Sequence, residues 1–497
     1  MKKLLLLVLL ITVLSFENNL IGLPEADDNP VDTDITAIDE TIVIGEVTGK
    51  KITPYLTGIN TVYAHEDMRT WEDGKKLNNL KKTGISALRY PEGHQTSFWD
   101  WEFPYHEAYQ DFWNPEYEQN LTRSDSLLLK DQHKNRMLMD DFFEICSEGN
   151  IEPVMGINMF QGWMYNRNPE SIDKAVRLVK YCLEKDPTIT YFFLDNEAGH
   201  QQSAVPLKHI PIDDYIDLIP EYSQAIKAVH PGARLIPNIM KWNMVERMVR
   251  ETGQYWDVYD QHWYYGTGGR WAYFNLEEWR EEIESEKHAT YIADFKSWKQ
   301  QYNMNHLELA YLEWNAPPPG LSADSKPSTL SYTMMGLIQA DMLMFFAKNN
   351  IYMAAAWPLM WEVPGKDTNL KEYNRNFLDK DDSDWLSPSA TIFQAFSYLQ
   401  KGEILENDND PKSGLRVLTV KRDGNKGYAV LILNKSYNDQ IIEVVLPAGV
   451  SKITEGKHFT EGKGPQNVEI KTISPQLNNN KTILTIDGTS FAYMLIE

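Results

Sequence analysis

Residues 191–200 read YFFLDNEAGH, in which four large apolar residues are followed at once by Asp, Asn and Glu. A short apolar run without alternation predicts a strand that is buried on both faces, as strands are in a parallel sheet. Residues 307–315, LELAYLEWN, have a similar order, with a largely apolar run that ends at Glu-Trp-Asn. Both stretches therefore predict a buried strand whose carboxyl end carries acidic and amide side chains.

Six more runs of this kind lie between residues 54 and 400, separated by amphipathic segments, of which the longest predicted helix is Leu276–Gln301. Eight strands, each followed by a helix, predict an α/β fold, the (β/α)8 TIM barrel. An open doubly wound sheet is the alternative, but no glycine-rich phosphate loop follows the first strand. The predicted strands are Leu56–Asn60, Ile85–Tyr90, Glu152–Asn158, Tyr191–Asn196, Arg234–Asn238, Val258–Trp263, Leu307–Trp314 and Tyr352–Trp357.

The two ends of the chain differ in sequence pattern from the predicted barrel. Short runs of period-2 alternation with turn residues between them predict a C-terminal antiparallel β-sandwich over 401–497. We expect strands over 41–53 to join that sandwich before the chain enters the barrel. Residues 1–20, which begin MKKLLLLVLLITVLS, are typical of a secretory signal peptide, and the acidic stretch 21–40 is predicted to be a linker. The protein is therefore expected to be secreted, with no membrane span after signal removal.

The composition excludes several classes of protein. The 497 residues include 48 Lys and Arg against 71 Asp and Glu, a formal net charge of −23. Nucleic acid is therefore not expected as a partner, because duplex binding needs a basic face that displaces counterions. Two cysteines are too few for a disulfide framework or a cysteine zinc site. The 15 Trp and 26 Tyr, whose flat rings can stack on sugars, favour a carbohydrate partner. Nothing in the composition predicts the oligomeric state.

Glu197 and Glu313 are the candidate catalytic residues, because each follows a strand at the end of a barrel where active sites form. They come from the fourth and seventh predicted strands and can face each other across the barrel mouth. Cleavage of a glycosidic bond needs such a pair: one carboxyl protonates the leaving oxygen, and the other attacks the anomeric carbon or activates water. No cofactor and no catalytic metal are predicted, since the sequence lacks the usual metal-binding motifs.

The Asn-Glu after the fourth strand and the Glu-Trp after the seventh resemble the signature of glycoside hydrolase clan A. Members of this clan are retaining (β/α)8 enzymes, and the resemblance covers the whole predicted barrel in element order. It implies that Glu197 is the acid/base and that Glu313 is the nucleophile. Asn196 would then bind the 2-hydroxyl of the sugar.

The same resemblance implies roles for four more residues. Arg89, at the end of the second strand, corresponds to an arginine that holds the nucleophile ionised. His262 or Tyr264, after the sixth strand, corresponds to a contact of the nucleophile. Trp357, at the end of the eighth strand, resembles the platform on which the sugar stacks.

Within clan A, residues 89–104, RYPEGHQTSFWDWEFP, together with YFFLDNEAGH, most resemble the β-agarases and β-porphyranases of glycoside hydrolase family 86. This implies an endo-acting enzyme on a red-algal galactan, agarose or porphyran. An RYPGG element also occurs in α-L-arabinofuranosidases, but Glu92 here replaces its first glycine. An exo-acting β-xylosidase or α-L-arabinofuranosidase of the same clan stays the alternative. A non-catalytic carbohydrate-binding barrel is the alternative of another class, and the presence of both glutamates disfavours it.

Three further residues are candidates for substrate binding. His94 follows the second strand and is a candidate contact of sugar hydroxyls. Trp99 lies in the long aromatic-rich connection after that strand, and a connection of such length is usually functional. Trp242 follows the fifth strand. Core packing is an equally open role for the two tryptophans, and structural hydrogen bonding for the histidine.

Overall fold

The computed structural model describes residues 37–63, 66–97, 99–102, 136–200, 209–269, 274–282, 284–316, 331–360, 377–378, 387–462 and 468–497. The predicted signal peptide and residues 21–36 of the predicted linker lie outside these ranges. No helix within them has the length and the apolar character of a membrane span.

The chain first forms β1 (Glu40–Lys51) and then a closed barrel of eight parallel strands. Neighbours in the barrel are neighbours in sequence, and the last strand pairs with the first. Nearly every residue of these strands is buried, which explains why their sequences are apolar without alternation. The predicted TIM barrel is confirmed. Its strands are β2 (Tyr55–Asn60), β3 (Ala87–Tyr90), β4 (Glu152–Ile157), β5 (Tyr191–Ala198), β6 (Arg234–Ile239), β7 (Val258–Tyr264), β8 (Glu308–Asn315) and β9 (Met353–Ala356).

The α-helices of the described residues surround this barrel. One of them, Tyr332–Lys348, is apolar and buried almost all round, because it packs between the barrel and the C-terminal sheet domain. The helices are α1 (Lys75–Thr83), α2 (Met139–Gly149), α3 (Phe160–Met164), α4 (Asn168–Lys185), α5 (Ile212–Val229), α6 (Trp242–Thr252), α7 (Leu276–Glu281), α8 (Glu286–Gln301), α9 (Tyr332–Lys348) and α10 (Pro388–Ser397).

The C-terminal domain is a curled, antiparallel-rich sheet that closes over its own apolar core. It contains β1 in addition to the last nine strands, and the pair of β1 with the strand Gln440–Val445 is parallel. The predicted antiparallel sandwich is therefore confirmed with one parallel pair inside it. The strands are β10 (Glu403–Asn407), β11 (Leu415–Lys421), β12 (Tyr428–Asn434), β13 (Gln440–Val445), β14 (Ile453–Glu461), β15 (Val468–Thr472), β16 (Leu477–Asn478), β17 (Lys481–Ile486) and β18 (Ser490–Ile496).

A buried ion pair joins the barrel to the sheet domain. Lys435, directly after β12, donates hydrogen bonds to Asp341 Oδ2 of α9 at 2.8 Å and to the carbonyl of Glu282 at 2.9 Å. Arg416 of β11 donates to the same carbonyl at 2.5 Å. The side chain of Lys435 is only 1% exposed, so this ammonium depends on its protein partners instead of water.

The same contacts explain why one predicted helix, Leu276–Gln301, is wrong. Leu276–Gln301 was expected to be continuous, but α7 ends before Glu282, whose backbone is extended (φ −71°, ψ 114°), and α8 begins after Ser285. The carbonyl of Glu282 accepts hydrogen bonds from the sheet domain, so tertiary contacts end the helix where the local pattern does not.

Candidate active site

The turn that carries Glu197 is fixed by its buried neighbour Asp195. The carboxylate of Asp195 accepts hydrogen bonds from the backbone N–H groups of Met159 and Phe160, at 2.7 and 2.6 Å, and from the hydroxyl of Ser97. Burial raises the pKa of Asp195 in spite of these hydrogen bonds. Asp195 and Glu197 both have left-handed backbone, with φ of 58° and 51°. Such strain in non-glycine residues persists only where surrounding contacts enforce it, and it concentrates at functional sites.

Both oxygens of Glu197 accept hydrogen bonds from imidazole rings. His262 Nδ1 lies 2.8 Å from Oε1, and His200 Nδ1 lies 2.7 Å from Oε2. The backbone N–H of Glu197 donates to Asn238 Oδ1 at 2.7 Å. Burial raises the pKa of Glu197, but the hydrogen bonds and positive charges of the two histidines outweigh it and hold that pKa well below its usual range.

Glu313 lies across the barrel mouth at the end of β8. Tyr264 donates its hydroxyl to Oε1 at 2.8 Å. Arg89 Nη1 and His262 Nδ1 lie 3.4 and 3.7 Å from Oε2. Gly93 packs against the same oxygen so closely that a Cβ at this position would lie 2.4 Å from it. The carboxylate of Glu313 is thus held from several sides.

Arg89 is fully buried and organises the floor of the site. Nη1 donates to Asn60 Oδ1 at 2.9 Å, and Nη2 donates to Asn196 Oδ1 at 2.8 Å. The guanidinium also lies 4.2 Å above the ring centre of Phe193. The amide oxygen of Asn196 is thereby occupied, which turns the amide N–H groups away from Arg89.

His262 connects the two glutamates through a buried carboxylate behind it. Nε2 donates to Asp260 Oδ2 at 3.1 Å, and the other oxygen of Asp260 accepts the backbone N–H of Leu312 at 2.7 Å. Burial lowers the pKa of His262, but the charges of Glu313 and Asp260 and the hydrogen bonds to Asp260 and Glu197 raise it to about 10. Both ring nitrogens therefore carry protons at neutral pH, and Nδ1–H donates mainly to Glu197, the nearer carboxylate.

Glu197, His262 and Glu313 place one nitrogen or oxygen each within 4.8 Å of one another. Among the residues that the structure describes, no other three His, Cys, Asp or Glu side chains come as close. This spacing would suit a metal ion, but hydrogen bonding through a protonated His262 already explains it. We identify none of the three as a metal ligand, and the absence of a catalytic metal stays a prediction.

The structure brings six of the predicted residues together at the barrel mouth: Glu197, Glu313, Asn196, Arg89, His262 and Tyr264. Trp357 directly follows β9. Its backbone N–H donates to the carbonyl of Trp314 at 2.9 Å, and the residue is buried.

Trp99 and Trp242 are not brought to the glutamate pair. Trp99 is buried, with its ring edge-on to Tyr90 at 5.4 Å. Trp242 opens α6, stacks on Tyr291 at 4.1 Å and donates its indole N–H to Asp294, so it packs among helices. His94 has its backbone in the turn His94–Ser97 after β3, and its side chain lies outside the described residues.

Four residues of the site are missing from the sequence prediction: His200, Asp260, Asn60 and Gly93. Signals for three of them exist. His200 follows Glu197 by three residues, Asp260 precedes His262 by two on the same face of β7, and Asn60 ends the first barrel strand. Only Gly93, which acts through its missing side chain, leaves no chemical signal.

No family model matches the sequence, and no curated protein matches it. Solved structures do match. An α-L-arabinofuranosidase from Thermotoga maritima, in complex with arabinose, has a TM-score of 0.66 at 16% identity, over 91% of this chain and 99% of that one. A family 51 α-L-arabinofuranosidase from Bifidobacterium longum has a TM-score of 0.68 at 14% identity, over 92% and 99%. A family 44 xyloglucanase from Paenibacillus polymyxa has a TM-score of 0.58 at 15% identity, over 92% and 99%.

The chain has the fold of these glycoside hydrolases. They are clan A proteins, the clan that the sequence resembles, and the match extends over the barrel and the sheet domain together. The finer resemblance to family 86 has no counterpart among them. At these identities the likeness concerns the fold, and the chemistry must be argued from the site.

Proposed function

We propose that the protein is a retaining glycoside hydrolase in which Glu313 is the nucleophile. The observation that carries this proposal is the spacing of the carboxylates: one oxygen of Glu197 lies within 4.8 Å of one oxygen of Glu313. Retaining enzymes need a separation of about 5–5.5 Å, whereas inverting enzymes need about 6.5–9.5 Å to seat a water molecule between sugar and base. The narrow gap therefore supports direct attack by Glu313 and a covalent glycosyl ester.

The contacts of Glu313 suit that attack. Tyr264 orients Oε1, while Arg89 and His262 face Oε2, so the carboxylate is presented in one orientation. Asn196 keeps its amide N–H groups for the substrate because its oxygen accepts from Arg89, and a donor at this place suits the hydroxyl beside the anomeric carbon. Glu197, across the site from Glu313, is proposed as the acid/base, which protonates the leaving oxygen and later takes a proton from water.

For the substrate we propose a cell-wall polysaccharide. The resemblance of residues 89–104 favours endo-action on agarose or porphyran. The second candidate is exo-action as an α-L-arabinofuranosidase, favoured by the names of the solved structures that share this fold over more than nine-tenths of the chain. We also propose export from the cell, supported by the charged and apolar pattern of residues 1–15. The N-terminal sequence of the protein recovered from the medium or periplasm tests it.

One experiment tests activity and substrate together. The purified protein is incubated with agarose, porphyran, arabinan, arabinoxylan and xyloglucan, with Glu313→Gln as control, and released reducing ends are measured. Oligosaccharides from a galactan support the first candidate, and free arabinose supports the second. Product formed equally by Glu313→Gln would overturn the assignment of the nucleophile.

The stereochemistry is read from the same digestion by following the anomeric proton signals of the first product. Retention of configuration is expected. Net inversion would contradict the mechanism, even if Glu313 proved essential.

A further inference from the structure

A cavity of about 140 Å³ lies between the barrel and the sheet domain. Its wall consists of the end of β7 with the turn that follows, the break between α7 and α8, the second half of α9, and Arg416 of β11. Within the described ranges, none of the side chains around the glutamate pair lines it. An apolar cavity of about 150 Å³ in another protein binds benzene, so the volume here suits one six-membered ring.

Aromatic rings and methionines form the apolar part of this wall. They are Trp263, Tyr265, Met342, Met344 and Phe345, all of which are buried. Methionine sulfur makes favourable contacts with the edges of aromatic rings, and its unbranched side chain adapts to the shape of what it contacts. Aromatic rings prefer to pack edge-to-face or offset against one another. The wall therefore favours a flat aromatic body.

Lys348, the last residue of α9, brings a positive charge to the cavity. Its ammonium makes no hydrogen bond and no ion pair with the described residues, which are continuous around it from 331 to 360. Burial lowers the pKa of Lys348 and the charge of Arg416 lowers it further, while the carboxylates of Asp341 and Glu284 act in the opposite direction. A cation that is partly removed from water and has no partner is stabilised by an anion placed beside it.

The three acidic side chains of the wall, in contrast, already accept hydrogen bonds. Their donors are Tyr265 for Glu282, Lys435 for Asp341 at 2.8 Å, and Asn349 for Glu284 at 2.9 Å. Arg416 adds a second positive charge to the wall, and its guanidinium is held in place by the carbonyl of Glu282 at 2.5 Å. What the cavity lacks is therefore an acceptor for Lys348, and a ligand that carries an acceptor fits it better than one that carries a donor.

We propose that this cavity is a binding site for a small aromatic monocarboxylate. The ring lies against the aromatic and methionine side chains, and the carboxylate accepts a hydrogen bond from the ammonium of Lys348. A single carboxylate matches the one unpaired cation, whereas the acidic side chains of the wall would repel a dianion. Ser285, which precedes α8 and does not cap it with its hydroxyl, supplies a second donor. The site is separate from the glutamates, and the inference does not rest on the proposed function.

Three probes of nearly equal size and different charge test the proposal on the wild-type protein. Benzoate, benzamide and benzylamine are titrated separately, and binding is followed by calorimetry and by the NMR signals of the probe. Benzoate should bind saturably below about 10 mM. Benzamide, which keeps the ring and an acceptor but has no charge, should bind at least about tenfold more weakly. Saturable binding of benzylamine or benzamide as tight as that of benzoate would overturn the proposal, and so would the absence of benzoate binding.

Two variants locate the binding. Lys348→Gln should weaken benzoate binding by about 10- to 100-fold and change benzamide binding by less than about threefold, because only the charged hydrogen bond is lost. Ser285→Phe places a ring in the cavity without removing a core side chain, and it should abolish binding of both probes. The matched control is Lys180→Gln, an exposed lysine of α4 that does not line the cavity, and it should bind benzoate as the wild type does.

Thermal unfolding midpoints establish that each variant is folded. If one variant is unstable, the other and the wild-type probe series still decide the outcome. Benzoate binding that is unchanged in Lys348→Gln or in Ser285→Phe would place the probe elsewhere on the protein and overturn the assignment of the site. None of these measurements uses hydrolysis, so failure of this proposal and failure of the proposed function are distinguished.

Discussion

Replacing Gly93 with alanine tests the geometry of the site with the smallest available change. An alanine Cβ would lie 2.4 Å from Glu313 Oε2, 3.3 Å from Asn196 Oδ1 and 3.4 Å from Arg89 Nη1. The backbone of Gly93 lies outside the left-handed region, so alanine itself is allowed there. Since carbon and oxygen atoms normally stay about 3.3 Å or more apart, Oε2 would have to retreat by roughly 0.9 Å.

A shift of this size has a predictable effect on the rate. Misplacing a reacting group by about 1 Å costs about 10²-fold. We therefore expect kcat of Gly93→Ala to fall about 100-fold, while KM changes much less because the sugar-binding groups stay in place. The fold should survive, because alanine also lowers the conformational entropy of the unfolded chain. This stabilisation of about 0.4–1 kcal/mol offsets part of the energetic cost of the overlap.

The assay compares kcat, KM and the thermal unfolding midpoint of Gly93→Ala with those of the wild type. Gly232→Ala is the matched control, because Gly232 is exposed and an added Cβ would meet only the ring of His230, at 3.3 Å. A variant that unfolds at the wild-type temperature and keeps kcat within about threefold would refute the reasoning, since Glu313 could not then be confined by Gly93.

Three other outcomes are expected. The pKa of His262 is about 10 in the folded protein and ordinarily 6.5, so its charge stabilises the fold fully below pH 6.5, and this contribution is lost as pH rises through 10. Urea unfolding across that range should therefore show a smaller loss of the free energy of unfolding in Asp260→Asn than in wild type. Arg89→Met, which leaves Asn60, Asn196 and Glu313 without their buried cation, should lower the free energy of unfolding by about 3–5 kcal/mol, and a loss under 1 kcal/mol would contradict its structural role. Lys435→Met should cost a similar amount in urea unfolding, and the double variant with Asp341→Leu should recover most of it; no recovery would mean that the ion pair is not what the single change breaks.

The barrel could be predicted from the sequence because its strands are buried on both faces. Runs such as YFFL in β5 are apolar without alternation, and the burial of β5 explains that pattern. The sheet domain was harder to predict. β14, with the sequence ITEGKHFTE, carries a glycine and charged residues and has an irregular register at its start, so its pairing depends on β18 more than on its own pattern.

The glutamates could be predicted because strand ends in a barrel converge on one mouth. What the sequence does not give is the direction of each side chain. Trp242 follows a strand end just as Glu197 does, yet it begins α6 and turns toward the helices. His200 lies only three residues from Glu197, but its hydrogen bond to that carboxylate depends on the left-handed turn at Glu197. Contacts of Asp195 with residues distant in sequence hold this turn in place.

The place of β1 in the sheet domain has a consequence for how the protein is made. The N–H of Val43 donates to the side chain of Asp408, 365 residues later, and the hydrogen-bonded partners of β1 are β10 and β13. At a synthesis rate of about 5–20 residues per second, roughly 20–70 s pass before those partners exist. The barrel is thus translated as an insertion within the sheet domain. During that interval the residues of β1 lack both strands with which they pair, and a chain cut after the barrel would lack them permanently.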